Sequence, residues 1–78
     1  MLFESKSKKI SKTIQGKIKE SNLFMDNNYR DLARDAYNEA KEMIEQHKEA
    51  GDIKERELKE LSMLLDRCYT RITHMGHY

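Results

Sequence analysis

The residue types best suited to metal binding or nucleophilic chemistry lie together in CYTRITHMGHY, residues 68–78. A cysteine thiolate and two imidazoles, from Cys68, His74 and His77, are ligands that Zn²⁺ accepts. However, a spacing of six residues places Cys68 and His74 on different faces of a helix, and no fourth ligand is evident. We therefore interpret Cys68 as a core residue and the histidines as helix-end residues, and we expect no metal and no other cofactor.

The remaining histidine, His47, gives no better indication of catalysis. His47 lies at the end of the apolar stripe of the second helix. No serine or cysteine nucleophile near it is recognisable as a partner for a histidine base. We interpret His47 as a half-buried boundary residue. The sequence therefore predicts a protein that is not an enzyme.

The segment KSKKISKTIQGKIK, residues 6–19, has a different chemistry, because it concentrates positive charge. Lysines in this number can neutralise the phosphates of a nucleic acid or of an anionic membrane surface. The candidate residues are Lys6, Lys8, Lys9, Lys12, Lys17 and Lys19. Against this, the segment lacks arginine, no recognition-helix motif lies beside it, and the chain has a net charge of only +1. A solvated helix face is the alternative interpretation.

The composition indicates which elements position these residues. The chain has 78 residues, of which 37% are charged, with no proline and three glycines, so few positions interrupt a helix. A length of 78 residues fits one domain, with a core too small for a large active-site cavity. Six lysines against two glutamates make residues 1–25 basic, whereas nine basic and twelve acidic residues make residues 26–78 mildly acidic. Antiparallel segments of these charges attract each other weakly.

The spacing of apolar residues predicts three helices, at about residues 5–25, 28–50 and 53–75. The first has a thin apolar edge of Ile10, Ile14 and Ile18, and Gly16 and several serines lower its helix propensity. We expect this helix to depend on packing for its stability.

The second helix is predicted to begin near Asn28, which with Asp31 resembles an N-terminal cap. Small and apolar residues then recur at steps of three and four, a pattern that predicts close packing against another helix. This stripe contains Ala33, Ala36, Tyr37, Ala40, Met43 and Ile44. Gly51 is expected to end the helix in the left-handed conformation, and Asp52 with Glu55 has the spacing of a capping box for the next helix.

The third helix has the strongest periodicity, with apolar residues at alternating steps of three and four. They are Leu58, Leu61, Leu65, Cys68, Ile72 and Met75. Met63 and Leu64 lie beside this seam and widen the apolar face. The predicted fold is all-α, a small three-helix bundle in one domain of residues 1–78. It is built on an antiparallel hairpin of the second and third helices, with the first packing along it.

Within residues 27–75, the small–aromatic–small pattern of Ala33, Tyr37 and Ala40 resembles the second helix of a tetratricopeptide-type hairpin. Tyr69 and Arg71 near the end of the third helix are similar to residues of the microtubule-interacting-and-transport domain, a three-helix relative of comparable length. This resemblance implies a groove between helices that receives a partner's helix or extended peptide. The first helix departs from the pattern, since Lys17, Glu20 and Ser21 lie where packing residues are expected.

The leading hypothesis is a small protein–protein interaction module or regulator. We expect it to bind its partner in an apolar groove between the first and third helices. The predicted groove residues are Leu61, Leu64, Leu65, Tyr69 and Ile72. One alternative is a nucleic-acid-associated regulator that uses the lysine-rich segment, and the other is a homo-oligomer joined through the seam of the third helix.

The sequence also predicts the compartment. A lone cysteine excludes an internal disulfide, and the first residues lack the apolar run of a secretory signal. No run approaches the ~20 apolar residues of a membrane span. We therefore expect a cytoplasmic protein without a membrane span.

Overall fold

The computed structural model describes residues 6–74, which form three helices joined by short turns. The helices are α1 (Lys6–Asp26), α2 (Arg30–Ala50) and α3 (Glu55–His74), and each contacts both of the others. The predicted all-α three-helix bundle is therefore confirmed. His77, a helix-end residue considered as a zinc ligand, and Met75 of the predicted seam lie outside the described residues.

The turn between α1 and α2 differs from the prediction at Asn28. Asn28 has φ 62° and ends α1 in the left-handed conformation, which asparagine tolerates better than most residues. The backbone N–H of Tyr29 donates to the carbonyl of Phe24 at 2.8 Å, and that of Asn28 donates to Met25 at 3.0 Å. The rings of Phe24 and Tyr29 meet edge to face at 6.5 Å. The prediction that Asn28 caps α2 was wrong, because Asn28 and Tyr29 satisfy carbonyls at the end of α1, and α2 begins after Tyr29 without a side-chain cap.

The turn between α2 and α3 confirms the role predicted for Gly51. Gly51 has φ 71°, and its backbone N–H and that of Asp52 both donate to the carbonyl of His47, at 3.0 and 3.3 Å. A carboxylate oxygen of Asp52 lies 2.9 Å from Nδ1 of His47. The capping box predicted for Asp52 and Glu55 therefore does not form, because the Asp52 side chain contacts the end of α2 instead of the start of α3.

The start of α3 is capped by a side chain from α1. The backbone N–H of Lys54 donates to Oγ of Ser7 at 2.7 Å, and the Ser7 hydroxyl donates to Oε1 of Glu57 at 3.0 Å. Ser7 and Glu57 are both buried, so this contact satisfies polar groups that would be costly to leave unpaired. Local sequence spacing could not reveal this cap, since its residues lie about fifty positions apart.

The core runs the length of the bundle, and α1 contributes more buried residues to it than its thin apolar edge predicted. The buried residues of α1 recur at steps of four and three, and half of them are serines: Ser7, Ser11, Ile14, Ile18, Ser21 and Met25. From the sequence, the serines were expected to lower the helix propensity of α1. They are also small packing residues, and they let α1 lie close to the buried alanines of α2. As a result α1 and α2 share the most extensive contact, and α2 and α3 the least extensive, so α1 is integral to the scaffold.

Ser21 joins all three helices at the centre of the core. Its side chain is fully buried, and its hydroxyl donates to the carbonyl of Ala33 in α2 at 2.7 Å. The thiol of Cys68 in α3 donates in turn to Oγ of Ser21 at 3.2 Å. Cys68 is therefore a core residue, as expected, with a hydrogen-bonded thiol.

We expect Gly16→Ala to stabilise the protein. Gly16 lies in the exposed middle of α1, and a Cβ there meets nothing within 4 Å. Alanine restricts the unfolded chain and favours the helix, so the free energy of unfolding should rise by about 0.5–1 kcal/mol in urea titrations followed by circular dichroism. The matched control is Gly51→Ala, which should lower it because φ is positive there. A loss of stability in Gly16→Ala would contradict the exposed helical placement of this residue.

Candidate functional site

The residues predicted to line a groove between α1 and α3 do not share one accessible surface. Leu61 has an exposed fraction of 0% and Ile72 is buried, so both belong to the core. Leu64 and Leu65 are half-buried and pack against that core. Tyr69 is 53% exposed, but its ring contacts Tyr37 of α2. The open part of the predicted site thus faces α2, because α1 already covers the apolar seam of α3.

The burial of the seam residues of α3 also affects the hypothesis of a homo-oligomer joined through that seam. Leu61, Cys68 and Ile72 of the predicted seam are enclosed by α1 and α2. Two copies joined through these residues would need α3 to leave the bundle. Met63, which was predicted to widen the apolar face, is 54% exposed.

A half-open cleft lies between the first half of α2 and the last half of α3. Its volume is about 270 Å³, and we call it the tyrosine cleft. The residues that line it are Arg34, Tyr37, Asn38, Tyr69, Ile72 and Thr73. The rings of Tyr37 and Tyr69 form its centre, with centroids 5.7 Å apart and planes tilted by 40°.

Both helices contribute to the tyrosine cleft with the same spacing. Residues 34, 37 and 38 of α2 and residues 69, 72 and 73 of α3 each follow the pattern i, i+3, i+4. Residues at this spacing are neighbours on a helix surface. The short turn at Gly51 makes α2 and α3 antiparallel, which brings the two sets face to face. This repeated spacing is present in the sequence, but Tyr37 was assigned to the core stripe, and Arg34, Asn38 and Thr73 were not predicted as site residues.

The electrostatics of the tyrosine cleft favour a neutral floor and a basic rim. Burial raises the pKa of Tyr37, and the nearby Tyr69, Cys68 and Asp66 raise it further. The Tyr37 phenol therefore stays protonated near neutral pH and can donate a hydrogen bond. Arg34 at the rim is exposed, and Lys41 and Lys48 follow it at steps of seven residues, which keeps them on the same side of α2. We call these three residues the basic flank of α2.

Lys17 and Lys6, two of the lysines in the alternative nucleic-acid hypothesis, lie beside carboxylates of other helices or turns. Nζ of Lys17 lies 2.6 Å from Glu39 and 3.6 Å from Glu20, and the hydrogen bond to Glu39 raises the pKa of Lys17. Nζ of Lys6 lies 3.8 Å from Asp52. Five of the six candidate lysines are exposed on α1: Lys6, Lys8, Lys9, Lys12 and Lys19.

Cys68 and His74, the described members of the zinc-ligand set considered from the sequence, do not share one site. Cys68 is buried, whereas His74 is exposed, with its Nδ1 atom 2.7 Å from the carbonyl of Thr70. Across residues 6–74, no group of three or more His, Cys, Asp or Glu side chains is arranged to hold a metal ion. None of the three described helices is both long enough and apolar enough to cross a bilayer.

The geometry of the tyrosine cleft and its basic flank is the basis for assigning a function. The resemblance to tetratricopeptide-type hairpins remains a prediction from the sequence. Comparison with protein families, curated proteins and solved structures finds no match to this chain.

Proposed function

We propose that this protein binds an acidic segment of another protein in the tyrosine cleft, and that it has no catalytic activity. The observation that carries the proposal is the contacting, partly exposed pair of Tyr37 and Tyr69 beside the exposed side chain of Arg34. Tyrosine and arginine are the residue types most often responsible for binding energy in protein interfaces, since each combines a large contact surface with directed hydrogen bonds. A protein–protein interaction module is therefore the function that this surface supports best.

The dimensions of the cleft indicate what enters it. Its volume of about 270 Å³ is just below the range of roughly 300–1,000 Å³ that is usual for small-molecule and cofactor sites. A volume of this size suits one or two side chains of a partner. Ile72 and the tyrosine rings offer an apolar contact for an aliphatic or aromatic residue, while Asn38 and Thr73 offer hydrogen bonds at the edge.

The basic flank of α2 indicates the charge of the partner. Arg34, Lys41 and Lys48 extend from the cleft over fourteen residues, or about 21 Å of helix. Carboxylates in the partner would find a cation every two turns, and complementary charge raises association rates and excludes other partners. On the opposite side of α2, Glu39 pairs with Lys17 of α1, so this carboxylate does not offset the charge of the basic flank.

We expect Tyr69→Ser to weaken partner binding about tenfold or more, because it removes a partly exposed aromatic side chain from the centre of the cleft. The helical circular dichroism should stay unchanged. Met63→Ser is the matched control, since Met63 is equally exposed on α3 and does not line the cleft. The measurement is affinity capture from a lysate of the source cells, with and without nuclease, followed by calorimetry with the purified partner.

The proposal requires that the wild type and Met63→Ser capture the same protein and that Tyr69→Ser does not. Equal capture by all three proteins would contradict a role for the cleft. A protein that is captured without nuclease but not after nuclease treatment would be bound through nucleic acid. A concentration-dependent dimer in sedimentation would instead indicate that the cleft receives a second copy of the chain.

A further inference from the structure

The hydrogen-bond donors of the tyrosine cleft are not used by the rest of the described chain. The guanidinium of Arg34, the amide of Asn38 and the phenols of Tyr37 and Tyr69 line the cleft. Within residues 6–74, none of these four side chains takes part in a hydrogen bond or an ion pair. The described lining also contains no carboxylate. The cleft therefore offers several available donors and one positive charge, which together favour an anionic group of a ligand.

Arg34 lies at one end of the cleft, beyond the contact between the two tyrosine rings. Because α2 and α3 are antiparallel, residues before Tyr37 and residues after Tyr69 lie toward the same end. Arg34 precedes Tyr37 by three residues, about 4.5 Å along the helix, and Thr73 follows Tyr69 by four, about 6 Å. Arg30 is exposed one turn before Arg34, on the same side of α2. A ligand ring that lies against the tyrosines can therefore direct a charged group toward these guanidinium groups.

The carboxylates around the cleft leave Arg34 without an ion pair in the part of the chain that the structure describes. Asp35 follows Arg34 directly and so lies about 100° away around α2, and Asp31 is exposed on the solvent side of the helix. On α3, Asp66 precedes Tyr69 by three residues, which places it toward the opposite end of the cleft. The Arg34 guanidinium is thus available to a ligand.

From this arrangement we propose that the tyrosine cleft binds a phosphotyrosine side chain of the partner. The inference rests on the proposed function and specifies the acidic group that the cleft recognises. The aromatic ring of the ligand packs against the rings of Tyr37 and Tyr69 and against Ile72. Its phosphate accepts the paired N–H donors of Arg34, because a planar guanidinium matches two phosphate oxygens at once.

A phosphate on an aromatic ring uses more of the cleft than other acidic groups do. Aspartate and glutamate carry no ring, and phosphoserine carries its phosphate on a single methylene group. Either kind of side chain would leave the tyrosine rings in contact with water, so their apolar surface would contribute little to binding. A nucleotide combines a ring with a phosphate but adds a sugar, and a cleft of about 270 Å³ is below the usual size of a cofactor site.

The test is an NMR titration of the isotope-labelled full chain with blocked alanine pentapeptides whose central residue is phosphotyrosine, tyrosine, phosphoserine or glutamate. The phosphotyrosine peptide should shift the backbone amide signals of residues 34–38 and 69–73. Its affinity should exceed that of each of the other three peptides about tenfold or more, since only this peptide supplies both the ring and the phosphate.

Variants of the cleft separate the two halves of the ligand. Arg34→Gln should weaken binding of the phosphotyrosine peptide about tenfold or more, because it removes the charge and the paired donors. Arg67→Gln is the matched control, since Arg67 is exposed on α3 and does not line the cleft. Tyr69→Ser should remove the preference for phosphotyrosine over phosphoserine, whereas Met63→Ser should keep it. Circular dichroism should show wild-type helicity for all four variants.

Four outcomes would overturn the inference. The first is equal affinity for the phosphotyrosine and tyrosine peptides, and the second is equal affinity of Arg34→Gln and Arg67→Gln for the phosphotyrosine peptide. The third is a set of shifted signals on α1 in place of the cleft. The fourth is tighter binding of adenosine monophosphate than of the phosphotyrosine peptide, which would assign the cleft to a nucleotide.

Treating the lysate with a tyrosine phosphatase before affinity capture separates this inference from the proposed function. Capture by the wild type and by Met63→Ser should then be lost. If capture survives the phosphatase and still requires Tyr69, the partner binds the cleft through an unphosphorylated segment. That result would leave the proposed function standing and would overturn the phosphotyrosine inference.

Discussion

Leu61→Ala is expected to lower the free energy of unfolding by about 2–5 kcal/mol, the cost of removing a large side chain from a well-packed core. Leu61 is 0% exposed and belongs to the core cluster that joins the three helices. A domain of this size is usually stable by about 4–12 kcal/mol, at roughly 0.05–0.15 kcal/mol per residue. The loss would therefore remove a large share of the total, and part of the population should be unfolded at 37 °C.

Urea denaturation followed by circular dichroism measures this loss, with two matched variants. Leu61→Met nearly conserves volume and should cost less than about 1.5 kcal/mol. Met63→Ala truncates a side chain that is 54% exposed on the same helix, and it should change stability by no more than about 0.5 kcal/mol. If Leu61→Ala were as stable as Met63→Ala, Leu61 would not lie in the core.

Ala40→Leu is expected to destabilise the protein by about 1–3 kcal/mol through overpacking. Ala40 is 0% exposed in α2, whose most extensive contact is with α1, and Ala33 on the same side of α2 is buried as completely. The larger side chain would have to push the two helices apart or adopt a strained rotamer.

Ala50→Leu is the matched control for this change, because Ala50 is the exposed last residue of α2. The same substitution there should change the free energy of unfolding by no more than about 0.5 kcal/mol. Alanine and leucine are both good helix formers. A difference between the two variants in the free energy of unfolding, measured by chemical denaturation, therefore reports packing and not helix propensity. Equal stability of the two variants would show that α1 and α2 do not approach closely at Ala40.

The apolar periodicity was sufficient to predict three helices, and the glycine at position 51 was sufficient to predict the turn between α2 and α3. It failed where the structure depends on contacts between distant residues. Asn28 suits either the start of α2 or the end of α1, and the choice depends on the hydrogen bonds of Tyr29. Ser7 and Ser21 looked unfavourable because helix propensity describes an isolated helix, whereas their hydroxyls find partners in other helices.

Only part of the candidate site could be predicted, for a related reason. Tyr69 was identified because it lies beside the seam of α3. Arg34, Asn38 and Thr73 have the composition of a solvated surface, and nothing in their own helices marks them as neighbours of a cleft. These residues meet because particular flanks of α2 and α3 face each other. The apolar pattern does not specify those flanks, because α3 packs against two helices at once.

The hydrogen bonds of Ser21 have a consequence for the uniqueness of the fold. Leucine, isoleucine and alanine make contacts without direction, so a helix displaced by one turn, about 5.4 Å, still buries much of its apolar stripe. The Ser21 hydroxyl would lose its partners in Ala33 and Cys68 on such a displacement, and a buried oxygen without a partner costs about 1–3 kcal/mol. The polar atoms at the centre thus discriminate against misregistered bundles, and the apolar residues around them supply the driving force for folding.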